Sequence, residues 1–150
     1  MLEEFRFHWA DAWNRIDIGI DTILERKVDG GCSICAIVNN EPHTININED
    51  KFISELEEFG IWEWDSCSYV QYLEDGAHWE LSIKYDGKEL YSDGRNGYPP
   101  NFKGFLKILR LNGFPKIELE KAVIIKGTKK YTHKKEPNPL STYIDVIYRE

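Results

Sequence analysis

The stretch WELSIKYDGKELYS, residues 79–92, alternates apolar and polar side chains on the two sides of an Asp-Gly pair. Side chains two positions apart point to the same face of a strand, so one face would carry Trp79, Leu81, Ile83 and Tyr85. Asp86-Gly87 is typical of the two-residue turn that joins antiparallel strands. The stretch therefore predicts a β-hairpin with one buried face.

The residues before this hairpin predict a meander of further antiparallel strands. Apolar alternation or a short β-branched run predicts strands at Glu3–Trp9, Ile16–Asp21, Cys32–Val38 and Thr44–Asn48. The turn sequences DGG at 29–31 and NNEP at 39–42 separate three of them. After the hairpin, residues 94–100 (GRNGYPP) are expected to form a rigid loop.

Two helices are predicted by apolar stripes that have matching end signals. The first begins near residues 48–50, ends at Gly60, and has its stripe at Phe52, Ile53, Leu56 and Phe59. The second runs from about Asn101 to Leu111 and stops at Asn112-Gly113. Two more strands are expected at Ala122–Lys126 and Thr142–Tyr148.

These elements predict one α+β domain that covers residues 1–150. Its expected core is an antiparallel sheet of about six strands, a meander plus a hairpin, with two helices packed on one face. Residues from about 115 to 150 would form a basic β extension at the C-terminal end. An apolar content of 41% and an aromatic content of 13% are sufficient for a large core.

The composition also bears on location and on the class of partner. No apolar run approaches the length that spans a bilayer, and the first residues are acidic where a signal peptide would be basic. Three cysteines are too few for a disulfide scaffold. We therefore expect a cytoplasmic protein without membrane contact. Residues 1–100 hold 21 acids and 8 bases, whereas residues 101–150 hold 5 acids and 11 bases. This acidity makes nucleic acid an unexpected partner and favours a protein with a basic face, unless it serves only solubility.

The basic segment KGTKKYTHKK, residues 126–135, has two interpretations. Lysines around an aromatic residue can bind nucleic acid, and lysines can also protect an edge strand from pairing with other chains. The second interpretation is favoured here.

Common catalytic signatures are absent from the sequence, which contains no phosphate-binding loop, zinc-protease motif, nucleophile elbow or dinucleotide fingerprint. Cys32 and Cys35 form a Cys-x-x-Cys match, but on a strand they would point to opposite faces. The four histidines show no ligand spacing. The sequence therefore predicts no catalytic residue, no cofactor and no metal.

An aromatic group is the first candidate for a binding site. In an extended chain, Trp62 and Trp64 would face the same side, and they would either cap the core or form a pocket for a flat or cationic ligand. The other candidate members are Tyr69, Tyr72, Asn96 and Tyr98, the last two in the expected rigid loop. A second candidate is the acidic side of the first helix, with Glu55, Glu57 and Glu58 off the apolar stripe.

Residues 50–111 resemble a pattern of small uncharacterised bacterial proteins. The pattern consists of a helix, a Trp segment, an Asp-Gly turn, Trp-x-Leu-x-Ile-x-Tyr, a second Asp-Gly, and Gly-x-Asn-x-Tyr-Pro-x-Asn-Phe before a helix. The matching pieces here include Asp75-Gly76, Trp79–Tyr85, Asp86-Gly87 and Gly94–Phe102. The chain departs from the pattern at Gly97, where alanine is typical, and in its C-terminal extension. The resemblance implies a shared fold and carries no activity.

The leading functional hypothesis is a non-enzymatic intracellular binding module that acts through a protein partner, of the inhibitor, immunity or adaptor type. The alternative is a small-molecule or nucleotide-binding regulator that uses the Trp/Tyr group. A third hypothesis is an enzyme whose residues assemble only in three dimensions. A pocket with convergent polar groups would favour the last two, and an exposed acidic face would favour the first.

Overall fold

A computed structural model describes residues 1–10, 19–64, 66–70, 77–95, 97–116, 129–132 and 147–149. These residues contain nine strands, two α-helices and one short 3-10 turn. In chain order the elements are β1 (Leu2–Ala10), β2 (Gly19–Arg26), β3 (Cys32–Val38), β4 (Glu41–Asn46), α1 (Glu49–Phe59), the 3-10 turn (Ile61–Trp64), β5 (Cys67–Val70), β6 (His78–Tyr85), β7 (Lys88–Arg95), α2 (Phe102–Leu111), β8 (Lys129–Thr132) and β9 (Ile147–Arg149).

The strands form a single sheet in the order β4-β3-β2-β1-β6-β7-β5-β8-β9. All neighbours are antiparallel except β5, which runs parallel to β7 with Tyr69 beside Gly94. The predicted α+β class, mostly antiparallel sheet and two helices are confirmed. The expected number of about six strands is wrong, because seven strands precede residue 96 and β8 and β9 extend the same sheet. The sheet is also mixed, because β5 is parallel to β7. No hairpin signal in the sequence marks this four-residue strand.

The hairpin and most of the meander form where they were predicted, with three differences in extent. The strand β3 matches its predicted bounds, whereas β2 continues to Arg26, beyond the predicted end at Asp21. Residues 16–18 of the strand predicted at Ile16–Asp21 lie outside the described residues. The strand β4 begins at Glu41 because Asn39 and Asn40 alone make the turn, with φ values of 48° and 66°. Gly94 and Arg95 belong to β7 rather than to a loop.

Both helices pack on the same face of the sheet, as predicted. Phe5 and Phe7 alternate with polar residues on β1, and their rings lie 5.2 Å from Phe52 of α1 and 5.3 Å from Phe105 of α2. The cap residues of α1 are those expected, because the Asn48 side chain accepts a hydrogen bond from the Lys51 amide and Gly60 adopts a φ of 87°.

The opposite face of the sheet is covered by none of the elements that the structure describes. Ile23 on β2 and Ile37 on β3 point to this open face, and their exposed fractions are 62% and 49%. Within the described ranges, no helix is long and apolar enough to cross a membrane.

The C-terminal predictions are only partly covered by the described residues. The strand expected at Ala122–Lys126 lies outside them, and of the strand expected at Thr142–Tyr148 only its last two residues, in β9, lie within them. Within the basic segment 126–135, β8 pairs with β5 on one side and with β9 on the other.

Candidate partner-binding surface

Three of the predicted site aromatics belong to the core. Trp64, Tyr69 and Tyr98 are buried, and their ring centroids lie 5.9, 6.2 and 6.3 Å from that of Trp79. Trp79 itself is completely buried. Because these rings fill the space between one another, they form a packed cluster rather than the walls of a pocket.

Buried hydrogen bonds fix the orientation of this cluster. The indole Nε1 of Trp9 donates to the Tyr98 hydroxyl at 2.9 Å, and that of Trp79 donates to the Gly97 carbonyl at 2.8 Å. Burial raises the pKa of Tyr98, although the hydrogen bond from Trp9 acts in the opposite direction. The hydroxyl therefore stays neutral and serves as a structural group.

The two neighbouring tryptophans do not share a face, which corrects the prediction made for an extended chain. Residues 61–64 form a 3-10 turn, in which positions two apart point in different directions. Trp64 enters the core and donates from Nε1 to Asn101 Oδ1 at 2.9 Å, whereas Trp62 is only half-buried. The candidates Tyr72 and Asn96 lie outside the described residues.

Trp62 is held at the surface by two charged side chains. Its Nε1 donates to Glu57 Oε2 at 3.3 Å, and Lys88 Nζ lies 5.6 Å from the ring centroid. Lys88 Nζ also donates to Glu57 Oε2 at 3.3 Å, so the three groups contact one another. The indole thus has a preferred orientation before any partner arrives.

Three exposed acids lie close to Trp62 in the chain, and one of them, Glu57, contacts its indole. Glu57 and Glu58 lie in the last turn of α1, and Glu63 follows in the 3-10 turn. We call Trp62 together with these three acids the Trp62 surface. Lys88 was missed by the sequence analysis because it comes from the β6–β7 hairpin, and no local pattern signals its contact with α1.

Glu55, the third predicted acid, has a structural position instead. Its carboxylate accepts hydrogen bonds from Lys51 Nζ at 2.6 Å and from Asn112 Nδ2 at 3.4 Å. The hydrogen bond from Lys51 lowers the pKa of Glu55, with a further contribution from Asn112. Glu55 therefore links α1 to the residue that follows α2.

The two helices carry opposite charges on their exposed sides. Lys103, Lys107 and Arg110 of α2 are exposed, and spacings of four and three residues place them along one stripe. The ends of the helices show that they run antiparallel, since Asn112 lies near Lys51 and Gly104 packs against Phe59. The helical layer thus has an acidic side that contains the Trp62 surface and a basic side on α2.

The Cys-x-x-Cys match lies on β3, and the predicted divergence of its two thiols is confirmed. Cys32 is buried on the helix-covered face, whereas Cys35 is half-buried on the open face. Cys32 and Cys35 form no disulfide, and burial raises the pKa of the Cys32 thiol. This geometry suits structural thiols rather than a redox pair.

No protein-family model matches the chain, and no curated protein or solved structure is significantly similar to it. The resemblance to small bacterial proteins therefore stays a prediction, and function is argued from the residues of the site.

Proposed function

We propose that the protein is a non-enzymatic binding module that acts in the cytoplasm through a protein partner with a basic face. The partner would dock on the Trp62 surface. One observation carries this proposal, namely a half-buried tryptophan that is oriented by Glu57 and Lys88 and lies in a segment with further exposed acids. The reduced thiols of Cys32 and Cys35 support a reducing compartment.

The chemistry of such a surface suits protein recognition. Tryptophan is among the residues whose truncation costs most at interfaces, because it buries a large area with few rotatable bonds. An indole that is already oriented loses little conformational entropy when a partner covers it. Exposed acids such as Glu58 and Glu63 would speed association with a basic face, and their effect would weaken with salt.

The alternative of a small-molecule site in the Trp/Tyr group receives less support. Such a site would need rings that leave space for a ligand, and Trp64, Tyr69 and Tyr98 instead pack around Trp79.

A second docking surface for the same function is the open sheet face, because Ile23 and Ile37 are exposed there. That face also exposes the aromatic ring of Tyr91 on β7. We rank it second because Glu57 and Lys88 already orient the Trp62 indole on the first surface. The experiment below separates the two surfaces.

Four versions of the full chain would be immobilised and incubated with lysate of the native host. They are the wild type, Trp62→Ala, Glu58→Lys/Glu63→Lys, and the matched control Glu25→Lys/Glu41→Lys. The control makes the same change in net charge on strands β2 and β4, and Glu25 lies on the open face beside Ile23. Retained proteins are identified by mass spectrometry, and the affinity of each candidate is then measured.

A partner that docks on the Trp62 surface is retained by the wild type and the control and is lost from the other two. Trp62→Ala is expected to weaken binding by about 2 kcal/mol or more. The acid reversal should slow association about tenfold at low salt and less at high salt. Loss from the control alone would move the site to the open face, and equal retention by all four would refute both surfaces.

A further inference from the structure

A pair of histidines lies on the open face at the centre of the sheet. His8 on β1 and His78 on β6 are diagonal neighbours across the two strands, and their ring centroids are 5.4 Å apart. On the other side of His8, Asp21 of β2 is its direct neighbour in register. No motif marks this arrangement, because its members come from three separate strands.

The His8 ring has one nitrogen without a hydrogen-bond partner. Its Nδ1 is buried and lies 3.7 Å from Asp21 Oδ1, which is an ion-pair distance but too long for a hydrogen bond. The same carboxylate oxygen is 3.5 Å from Arg6 Nε. Asp21 is thus shared between a guanidinium and an imidazole on the adjacent strand.

From this geometry we infer that His8 and His78 form a site for a divalent transition-metal ion. A tetrahedral ion about 2.0–2.1 Å from each donor nitrogen holds the centres of its two imidazoles roughly 5 Å apart. The observed separation of 5.4 Å is close to that value. The two rings are therefore close enough for one nitrogen of each to bind the same ion.

The order of the strands supplies the supporting carboxylate. The sheet runs β2-β1-β6, so Asp21 and His78 lie on opposite sides of His8. The Nδ1 atom of His8 is directed towards Asp21, which leaves Nε2 on the side of the ring that faces away from β2. A metal-bound histidine usually donates its other ring N–H to a carboxylate, and Asp21 would take that role once its 3.7 Å separation from His8 Nδ1 shortens to a hydrogen-bond distance.

The ligand chemistry selects the class of ion. Imidazole nitrogens suit Zn²⁺, Ni²⁺ and Cu²⁺, whereas Mg²⁺ and Ca²⁺ prefer oxygen ligands. The described residues hold no group of three or more histidine, cysteine, aspartate or glutamate side chains suited to a metal, so water would complete the coordination. Such a site is labile, and it should bind Cu²⁺ more tightly than Ni²⁺ or Zn²⁺.

Two charged residues lie beside the histidines on neighbouring strands. The negative charge of Glu80, the register partner of His8, favours cation binding, whereas the positive charge of Arg95, the register partner of His78, disfavours it.

The test is calorimetric titration of the untagged full chain with Zn²⁺ and, separately, with Cu²⁺. The wild type should bind one ion at this site, and either His8→Gln or His78→Gln should weaken binding at least about tenfold. Asp21→Asn should weaken it by about tenfold while both imidazoles remain. His43→Gln, on the edge strand β4, is the matched control and should leave binding unchanged.

Electron paramagnetic resonance of the Cu²⁺-loaded wild type tests the same inference without any variant. The spectrum should show two coordinated imidazole nitrogens. A spectrum with none would overturn the inference, and so would unchanged affinity in folded His8→Gln and His78→Gln chains. An equal loss in His43→Gln, or no binding of either ion by the wild type, would overturn it as well.

Discussion

Gly94 and Trp79 are the pair for which the structure makes its sharpest prediction about stability. A Cβ atom added at Gly94 would lie 2.2 Å from Trp79 Nε1, 2.8 Å from its Cε2 and 2.3 Å from the Gly97 carbonyl oxygen. All three distances are far shorter than ordinary contacts between atoms, and the indole is held in place by its hydrogen bond to the Gly97 carbonyl. Gly94→Ala should therefore force this part of the core to shift.

The magnitude follows from ordinary core substitutions. Overpacking typically costs about 1–3 kcal/mol, and we expect about 3 kcal/mol here because the obstacles are a locked ring and a backbone carbonyl. Trp79→Phe removes the part of the indole that meets the new methyl group. It should cost about 2–3 kcal/mol, since it leaves a small cavity and a carbonyl without its donor.

The double variant distinguishes this explanation from a general weakness of the chain. In the double variant the methyl group can occupy the space that the indole vacates, and the Gly97 carbonyl can shift because it no longer accepts the hydrogen bond from the indole. The two costs are then not additive, and the double variant should lose about 3 kcal/mol rather than their sum. Urea unfolding followed by circular dichroism gives all four free energies of unfolding. Costs that add to within about 0.5 kcal/mol would refute the proposed packing of Gly94 on Trp79.

Gly104→Ala is the matched control. Its Cβ would lie 2.7 Å from Phe59 Cε1, which belongs to a half-buried side chain and not to the backbone. Alanine is also favoured over glycine within a helix by about 1 kcal/mol. The change in stability should be small and additive with Trp79→Phe.

Three further predictions concern titration and the thiols. The hydrogen bond from Arg26 lowers the pKa of Glu49, so this carboxylate stabilises the fold above its ordinary pKa, and the contribution is lost as the pH falls through the lowered pKa. Glu49→Gln should flatten that part of the stability–pH curve measured by urea unfolding, and an unchanged slope would contradict the assignment. Burial raises the pKa of Tyr69 and Tyr98, so the free energy of unfolding should fall as the pH rises above about 10. Tyrosinate absorbance from these residues should appear together with unfolding. Ionisation of both tyrosines in the folded chain would disprove their burial. Mild oxidation should leave Cys32 and Cys35 unlinked, because they lie on opposite faces of β3, and a disulfide between them in non-reducing peptide mass spectrometry would refute that placement.

Elements with local signals could be predicted from the sequence. The β6–β7 hairpin follows from strict alternation around Asp86-Gly87, where both residues adopt positive φ values of 45° and 79°. The bounds of α1 follow from its asparagine cap and its terminal glycine. In both cases neighbouring residues determine the conformation, so the pattern is sufficient.

Elements that depend on distant contacts could not be predicted in this way. The strand β5 has only four residues and pairs in parallel with β7, and such pairing has no turn sequence to mark it. The 3-10 turn at Ile61–Trp64 places one tryptophan in the core and one at the surface, which the alternation of WEWD concealed. The contact of Lys88 with Trp62 and the pairing of His8 with His78 depend on the strand order of the whole sheet.

The central position of β1 has a consequence for the growing polypeptide on the ribosome. The strand is made first, yet one of its two edges pairs with β6, which emerges only after α1 and β5 have been synthesised. Until then the nascent chain holds β1 with an unpaired edge and with Phe5 and Phe7 only partly covered. An open strand edge of this kind favours pairing between neighbouring chains, so slow translation between β4 and β6 should increase aggregation. Synthesis of the β6–β7 hairpin ends this exposed interval, because β6 occupies the free edge of β1.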